Sequence, residues 1–173
     1  MNRRTFVIGQ AAVLAAPWHV FAADSAKVQS LSDALRWLDL LERSPKARST
    51  STWPLLSVLE HLSQSIEMSL SGFPAPKSAL FQNTVGAAAF TVFQWRGKMS
   101  HNLTDPIPGA PTLNTEGPWQ PGAARLRKAI ADFSVHTGAL QPHFAYGKLS
   151  KNEFALAHTF HIANHQDEIT LGA

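Results

Sequence analysis

The sequence predicts an all-α protein, an up-down four-helix bundle with one additional short helix and a long proline-rich loop. Apolar residues recur at intervals of three and four along most of the 173-residue chain, as on the buried faces of helices. No stretch alternates with a period of two for long enough to indicate a sheet. Hydrophobic residues make up 45% of the chain and charged residues 16%, a composition typical of a globular protein.

The first three helices are delimited by apolar spacing and by proline and glycine. We expect a first helix over 31–42, which Pro45 ends. The second helix follows the polar run 49–52, which supplies its N-cap. A third helix is expected over 78–99, where small residues predominate and would let a neighbouring helix approach closely.

The second half of the domain begins with a loop and continues with two helices. Five prolines in the segment 100–121 predict a stiff connection without regular structure. A fourth helix is expected over 122–135. The last helix is expected over 151–168, because Ser150 and Glu153 form a capping box at its start.

Residues 1–23 resemble a twin-arginine signal peptide, which leaves a helical domain over 24–173. Arg3 and Arg4 precede a weakly apolar run of small residues that extends to Ala23. We therefore expect the twin-arginine translocase to export the folded protein, to the periplasm or beyond. Because that pathway often carries proteins with an inserted cofactor, the leader is also a weak indication of a metal.

Composition excludes several classes of site and partner. The absence of cysteine excludes disulfides, thiolate zinc sites, iron–sulfur clusters and cysteine nucleophiles. Without the two leader arginines, 13 basic residues stand against 12 acidic ones, and no basic stripe or motif predicts nucleic-acid binding. No apolar run reaches the roughly 18 residues of a membrane span, so no membrane partner is expected after cleavage. The oligomeric state is open, with a homodimer as one option.

Three histidines replace the usual apolar residues along one seam of the last helix. The seam positions, four and three residues apart, are Phe154, His158, His161, His165 and Glu168. Imidazoles buried without partners cost on the order of 1–3 kcal/mol each, so an inward-facing seam calls for a ligand. In the alternative, the seam faces solvent and the opposite side is buried, with Ala157, Phe160 and Ile169.

An inward-facing seam predicts a metal site. His161 and His165 lie one turn apart and can converge on one ion, as histidine pairs do in helical zinc sites. His158 could reach the same ion or support it from outside. The best third ligand is His61, in the middle of the second helix. The candidates for outer contacts to the ligands are Glu60, Gln64 and Glu67.

These residues resemble a known superfamily. Leu59-Glu60-His61-Leu62 and the run from His158 to Asp167 resemble the DinB-like metalloenzymes, in a branch of undefined function. The resemblance implies a four-helix bundle in which His61, His161 and His165 bind one divalent metal. Many relatives carry Arg and Gln after the last histidine, where this chain has Gln166-Asp167-Glu168. A carboxylate of Asp167 or Glu168 is therefore a further candidate for the site.

The expected function is that of an exported metal-dependent enzyme with an unknown small-molecule substrate. Resemblance suggests a thiol-dependent transferase or isomerase, or a hydrolase. The sequence demands no general base, although His158, Glu67 and His143 are candidates. We expect His143, with Tyr146, to line the mouth of the cavity or to pack rather than to act as the base. Zinc or nickel suits imidazole ligands, whereas iron or manganese becomes plausible if a carboxylate joins. The alternative is a non-catalytic exported bundle that binds a metal or a small ligand. The crowded third histidine argues against b-type haem, and missing Glu-x-x-His pairs argue against a di-iron site.

Overall fold

The computed structural model describes residues 26–172, so the predicted leader lies outside the described residues. In chain order, the elements are α1 (Leu31–Glu42), β1 (Arg48–Ser49), α2 (Leu55–Ser71), α3 (Ala79–Phe81), a π-helical turn (Gln82–Gly86), α4 (Ala87–Arg96), α5 (Gln120–Val135), α6 (Lys151–Gln166) and β2 (Ile169–Thr170). The only sheet among the described residues is the antiparallel pair of two-residue strands β1 and β2. The all-α prediction is confirmed.

Four helices form the bundle. Helices α1 and α2 each pack against both α5 and α6, and the α2–α5 contact is the most extensive. The interior is filled by large apolar side chains that are almost wholly buried, among them Leu59, Leu62, Leu126, Ile130 and Phe133. Over the described range, no helix combines the length and the apolar character needed to cross a membrane.

The ends of the helices show which local signals decided the structure. Helix α1 matches its predicted bounds, and the predicted capping box of α6 is present at Ser150 and Glu153. The predicted N-cap of α2 is wrong, because Pro54 precedes the helix and makes no side-chain cap. The polar run is used elsewhere: the N–H and hydroxyl of Thr50 both donate to the carbonyl oxygen of Glu168, at 2.6 and 2.9 Å.

Buried polar side chains of α2 fix the proline-rich loop to the bundle. Ser57 donates to the carbonyl oxygen of Asn114 at 2.6 Å. The Glu60 carboxylate accepts from the backbone N–H and the side-chain amide of Asn114, at 2.8 and 2.7 Å. Gln64 donates to the carbonyl oxygen of Pro111 at 3.0 Å. These contacts hold the loop against the same helix that carries His61.

The segment from α3 to α4 is the additional helix of the fold. It ends earlier than predicted, at Arg96, because Gly97 adopts a left-handed conformation with φ of 64°. Gly86, in the π-helical turn, is buried against the loop after α5, where a Cβ would overlap the carbonyl oxygen of Ala145. The outer face of this segment leaves large apolar side chains exposed, namely Leu80, Val85, Val92 and Trp95.

The close approach at Gly86 gives a test of this packing. Gly86→Ala should lower the free energy of unfolding by about 1–3 kcal/mol, the usual cost of overpacking, because the new methyl group displaces the backbone at Ala145. Urea unfolding monitored by circular dichroism measures the change. Ala88→Ser, at an exposed helical position nearby, is the control. A Gly86→Ala protein as stable as the wild type would contradict the described contact.

Candidate metal centre

Four histidines converge in the interior of the bundle. His61 comes from the middle of α2, His161 and His165 from α6, and His101 from the loop after α4. One ligand atom from each residue lies within 4.8 Å of those of the other three. The Nε2 atoms of His61 and His161 lie 3.0 Å apart, within hydrogen-bond distance. The seam of α6 thus faces inward, and the solvent-facing alternative is wrong.

A carboxylate fixes the orientation of His165. Glu168 lies in the turn after α6, and its Oε1 is 2.6 Å from Nδ1 of His165, with both side chains buried. Donation from Nδ1–H to this carboxylate leaves the lone pair of the neutral ring on Nε2. That Nε2 is buried and has no hydrogen-bond partner within the described residues. Glu168, which the sequence suggested as a candidate ligand, therefore contacts the site through the imidazole of His165, a common arrangement in metal sites.

A side-chain amide holds His101 in a similar way. The Asn164 amide lies 2.9 Å from Nδ1 of His101, which leaves Nε2 for the cluster. If Nε2 binds a cation, the proton of the neutral ring resides on Nδ1 and needs an acceptor. Rotation of the amide by 180° presents its oxygen to Nδ1, so Asn164 can serve either state of the ring.

Burial keeps three of these imidazoles uncharged, those of His61, His101 and His161. It is the main cause that lowers the pKa of His61 to about 3, and the nearby His165 and His101 add to the effect. Burial also lowers the pKa of His101 to about 4. The pKa of His161 lies well below its ordinary value, again mainly because of burial. Since a metal binds the neutral ring, His61, His101 and His161 are in the ligating state at neutral pH.

His158 lies outside the cluster, although it belongs to the same seam. Its Nε2 is 3.3 Å from the hydroxyl of Ser69, which donates to the carbonyl oxygen of Ile66 at 2.6 Å and so accepts from His158. The ring packs between Phe133 and Phe154, with centroid distances of 5.1 and 5.6 Å. His158 thus packs in the core and lines the cavity, but it does not lie among the four clustered histidines.

The acidic and amide candidates proposed from the sequence also have other partners. Glu67 forms two hydrogen bonds with Arg125, at 2.9 and 2.7 Å, and does not line the cavity. Asp167 pairs with Lys27 at the surface. Glu60 and Gln64 hold the proline-rich loop and make no hydrogen bond to a cluster histidine. None of the three proposed outer contacts is hydrogen-bonded to a cluster histidine; the carboxylate that reaches one is that of Glu168, which the sequence suggested as a candidate ligand.

A cavity of about 430 Å³ adjoins the cluster. His61, His101 and His161 form part of its wall, so the point where the rings converge is open to a small molecule. Most of the remaining wall is apolar or aromatic, with Met99, Ile107, Pro108, Phe144, Tyr146 and Ala157. A further histidine, His143, lines the cavity as well.

Sequence reasoning did not find His101. The histidine lies at the start of the proline-rich loop, where no periodicity indicates which side chains face inward. The available signal was its position, since the loop that follows the third predicted helix must return across the bundle. In contrast, the spacing along α6 indicated His161 and His165, and the need for a further ligand, together with the DinB-like resemblance, indicated His61.

The fold and the site define a class of protein, a helical bundle in which a cluster of four histidines could hold a metal ion. Comparison then identifies the family. The chain belongs to the family described as "Protein of unknown function (DUF1569)", whose model matches residues 22–171. No curated protein and no solved structure matches the chain.

The buried histidines predict a stability that falls in acid. The pKa of His158 is about 3 in the folded state because of burial, against 6.5 for a free side chain. Between these values the unfolded chain binds a proton that the folded chain does not, so stability is present above pH 6.5 and decreases below it. From pH 7 to 5 this histidine alone should remove about 2 kcal/mol.

The measurement is urea unfolding at both pH values in the presence of a chelator. His158→Gln retains an amide donor for Ser69 and should lose about 2 kcal/mol less than the wild type over this range. The difference between the two proteins isolates His158 from the other buried histidines. Identical losses would show that His158 titrates normally in the folded protein.

Proposed function

We propose that this protein is a metal-dependent enzyme that binds one divalent transition metal through His61, His101, His161 and His165. The proposal rests on the unpaired Nε2 of His165, which is buried beside the three other imidazoles of the cluster. An unsatisfied buried acceptor costs about 1–3 kcal/mol, and no donor within the described residues reaches this one. A cation that accepts several imidazole lone pairs would remove that cost.

The donor set fits zinc or nickel best. All four candidate ligand atoms are imidazole nitrogens, which suit zinc, nickel, copper and iron. The nearest carboxylate, that of Glu168, is hydrogen-bonded to His165 and supports a ligand. Without a carboxylate oxygen among the ligands, manganese is disfavoured and iron loses the oxygen ligand that would have favoured it.

The cavity favours an enzyme over a storage or structural site. When bound, the metal would supply Lewis acidity toward a substrate atom. The protein would contribute the rest: Glu168 orients His165, the apolar wall excludes water, and Asn164 positions His101. A purely structural site needs no adjoining space of this size, whereas three of the four histidines here border the cavity.

The reaction class and the setting of the enzyme remain proposals. Thiol-dependent transfer or isomerisation and hydrolysis are the reactions suggested by the resemblance to DinB-like metalloenzymes. Export through the twin-arginine pathway stays a prediction, since residues 1–23 lie outside the described residues. Neither the superfamily nor the export route is needed for the metal site itself.

Metal content tests the proposal. The purified protein, reconstituted with zinc or nickel and desalted, should contain about one equivalent of metal by elemental analysis. His161→Ala should retain little, because it removes a ligand from the centre of the cluster. His136→Ala, which removes a histidine outside the cluster, is the control and should bind like the wild type. Equal metal in both variants, or none in the wild type, would refute the site.

The hydrogen bond from His165 to Glu168 gives a second prediction. Glu168→Gln keeps an acceptor for Nδ1–H but replaces the charged partner of the ligand by an uncharged amide. Zinc affinity should fall about 10–100-fold, as is usual when an outer partner of a ligand is changed. Competition with a chromophoric chelator measures the affinity. Asp167→Asn, one residue away and paired at the surface, should leave it unchanged; an equal loss in both variants would contradict the role of Glu168.

A further inference from the structure

The cavity contains a second polar group whose hydrogen-bonding role is fixed by the backbone. Nδ1 of His143 lies 3.2 Å from the backbone N–H groups of both Ala145 and Tyr146. Because both partners are donors, Nδ1 carries the lone pair and Nε2 carries the proton of the neutral ring. Burial, with a contribution from His158, lowers the pKa of His143 to about 3, so the ring is uncharged at neutral pH.

The ring of His143 is also held in one orientation. Tyr146 stacks on it with a centroid distance of 4.2 Å and an interplanar angle of 5°. Phe73 lies at 5.1 Å, tilted by 57°. The backbone of His143 forms an isolated antiparallel β-bridge with Gly147, and the Gln82 amide donates to the carbonyl oxygen of His143 at 3.4 Å. The Nε2–H group therefore belongs to a rigid part of the wall.

Nothing within the described residues accepts the proton on Nε2 of His143. No hydrogen bond of the described chain involves this atom, and, unlike Nε2 of His165, the atom is not completely buried. Since the residue lines the cavity, its Nε2–H is a donor available to a molecule inside. A neutral, fixed N–H donor selects a ligand that offers an oxygen or nitrogen lone pair.

The side of the cavity around His143 offers a positive charge. Lys77 lies in the cavity wall, its backbone N–H donates to the carbonyl oxygen of Phe144 at 2.8 Å, and its exposed ammonium has no carboxylate partner among the described residues. The carboxylate of the wall, Asp105, accepts from the Asn102 amide at 2.7 Å and keeps its charge, which acts on His101 at the histidine cluster. An unpaired ammonium beside an apolar space attracts a negatively charged group more strongly than the same ammonium in bulk water.

We propose that the cavity binds a small organic carboxylate, which accepts a hydrogen bond from Nε2–H of His143 and is attracted by Lys77, while its apolar part lies against Ile107 and Phe144. As an assignment of substrate class, this inference rests on the proposed function. Binding of the carboxylate itself depends only on the cavity and can be measured with or without metal. His143 then determines which substrates bind, and is separate from the four candidate metal ligands.

Nuclear magnetic resonance of the full-length protein labelled with ¹⁵N-histidine tests this. In the free protein, the spectrum should show His143 protonated on Nε2 and unprotonated on Nδ1. The probes are acetate, hexanoate and phenylacetate, with phenylacetamide as the uncharged counterpart of the last. At least one carboxylate should shift the His143 Nε2–H resonance in a saturable manner and bind more tightly than the amide.

Two substitutions separate binding from folding. His143→Asn places an oxygen where Nδ1 lay, so it keeps an acceptor for the two backbone N–H groups and removes only the outer donor. It should weaken binding of the carboxylate at least tenfold, the loss expected for one charge-assisted hydrogen bond. Lys77→Met should weaken binding several-fold. Lys98→Met, which removes an exposed lysine outside this cavity, should have no effect.

The outcomes are distinguishable. The proposal is wrong if none of the three carboxylates shifts the resonance, if His143 is protonated on Nδ1, or if folded His143→Asn binds the carboxylate as the wild type does. Repeating the titration on chelator-treated and zinc-loaded protein separates this result from the metal site. Binding through His143 in a protein that holds no zinc would refute the proposed function alone. Zinc binding without carboxylate binding would refute this inference alone.

Discussion

Four clustered imidazoles whose ring nitrogens lack enough hydrogen-bond partners within the described residues constrain the polar interior of this protein. The Nε2 atoms of His61 and His161 are 3.0 Å apart, so a hydrogen bond between them uses one proton and one lone pair. His165 adds a buried Nε2 with no donor, and its Nδ1–H is already committed to Glu168. A divalent cation satisfies all these lone pairs together, whereas protonation would place like charges within a few ångströms.

Hydrogen bonds around the cluster hold His165, His101 and the proline-rich loop in place. Glu168 links His165 to the segment that follows β1, because its carbonyl oxygen accepts both hydrogen bonds of Thr50. The carboxylate of Glu60 fixes the proline-rich loop through Asn114, and the Asn164 amide contacts the ring of His101. Because ligands from separate elements converge on one ion, metal binding should stabilise the packing of α2, α6 and the loop together.

Spacing in the sequence indicated most of the site that lies on helices. It put His161 and His165 on one face of α6, the need for a further ligand and the DinB-like resemblance added His61, and the structure brings these three together. The same seam included His158, which lies one turn before the cluster and donates to Ser69 of α2 instead. Periodicity predicts which face of a helix is buried, but not which positions on that face meet residues from other elements. Only tertiary structure could separate it from the cluster.

The rest of the site depends on contacts that have no local signal. His101 joins the cluster from a loop whose path is set by hydrogen bonds to Glu60 and Gln64, two residues that the sequence suggested as outer partners of the ligands. The N-cap of α2 was predicted wrongly for a related reason, since Thr50 bonds to Glu168, more than a hundred residues away. Local propensity cannot anticipate partners at such separations.

The most direct test is a crystal structure of the zinc-loaded protein with anomalous data collected at the zinc edge. The account predicts one strong anomalous peak among His61, His101, His161 and His165, with zinc–nitrogen distances of about 2.0–2.1 Å and Glu168 still bonded to His165. A peak elsewhere in the molecule, or no peak and four rings bonded only to one another and to water, would contradict it.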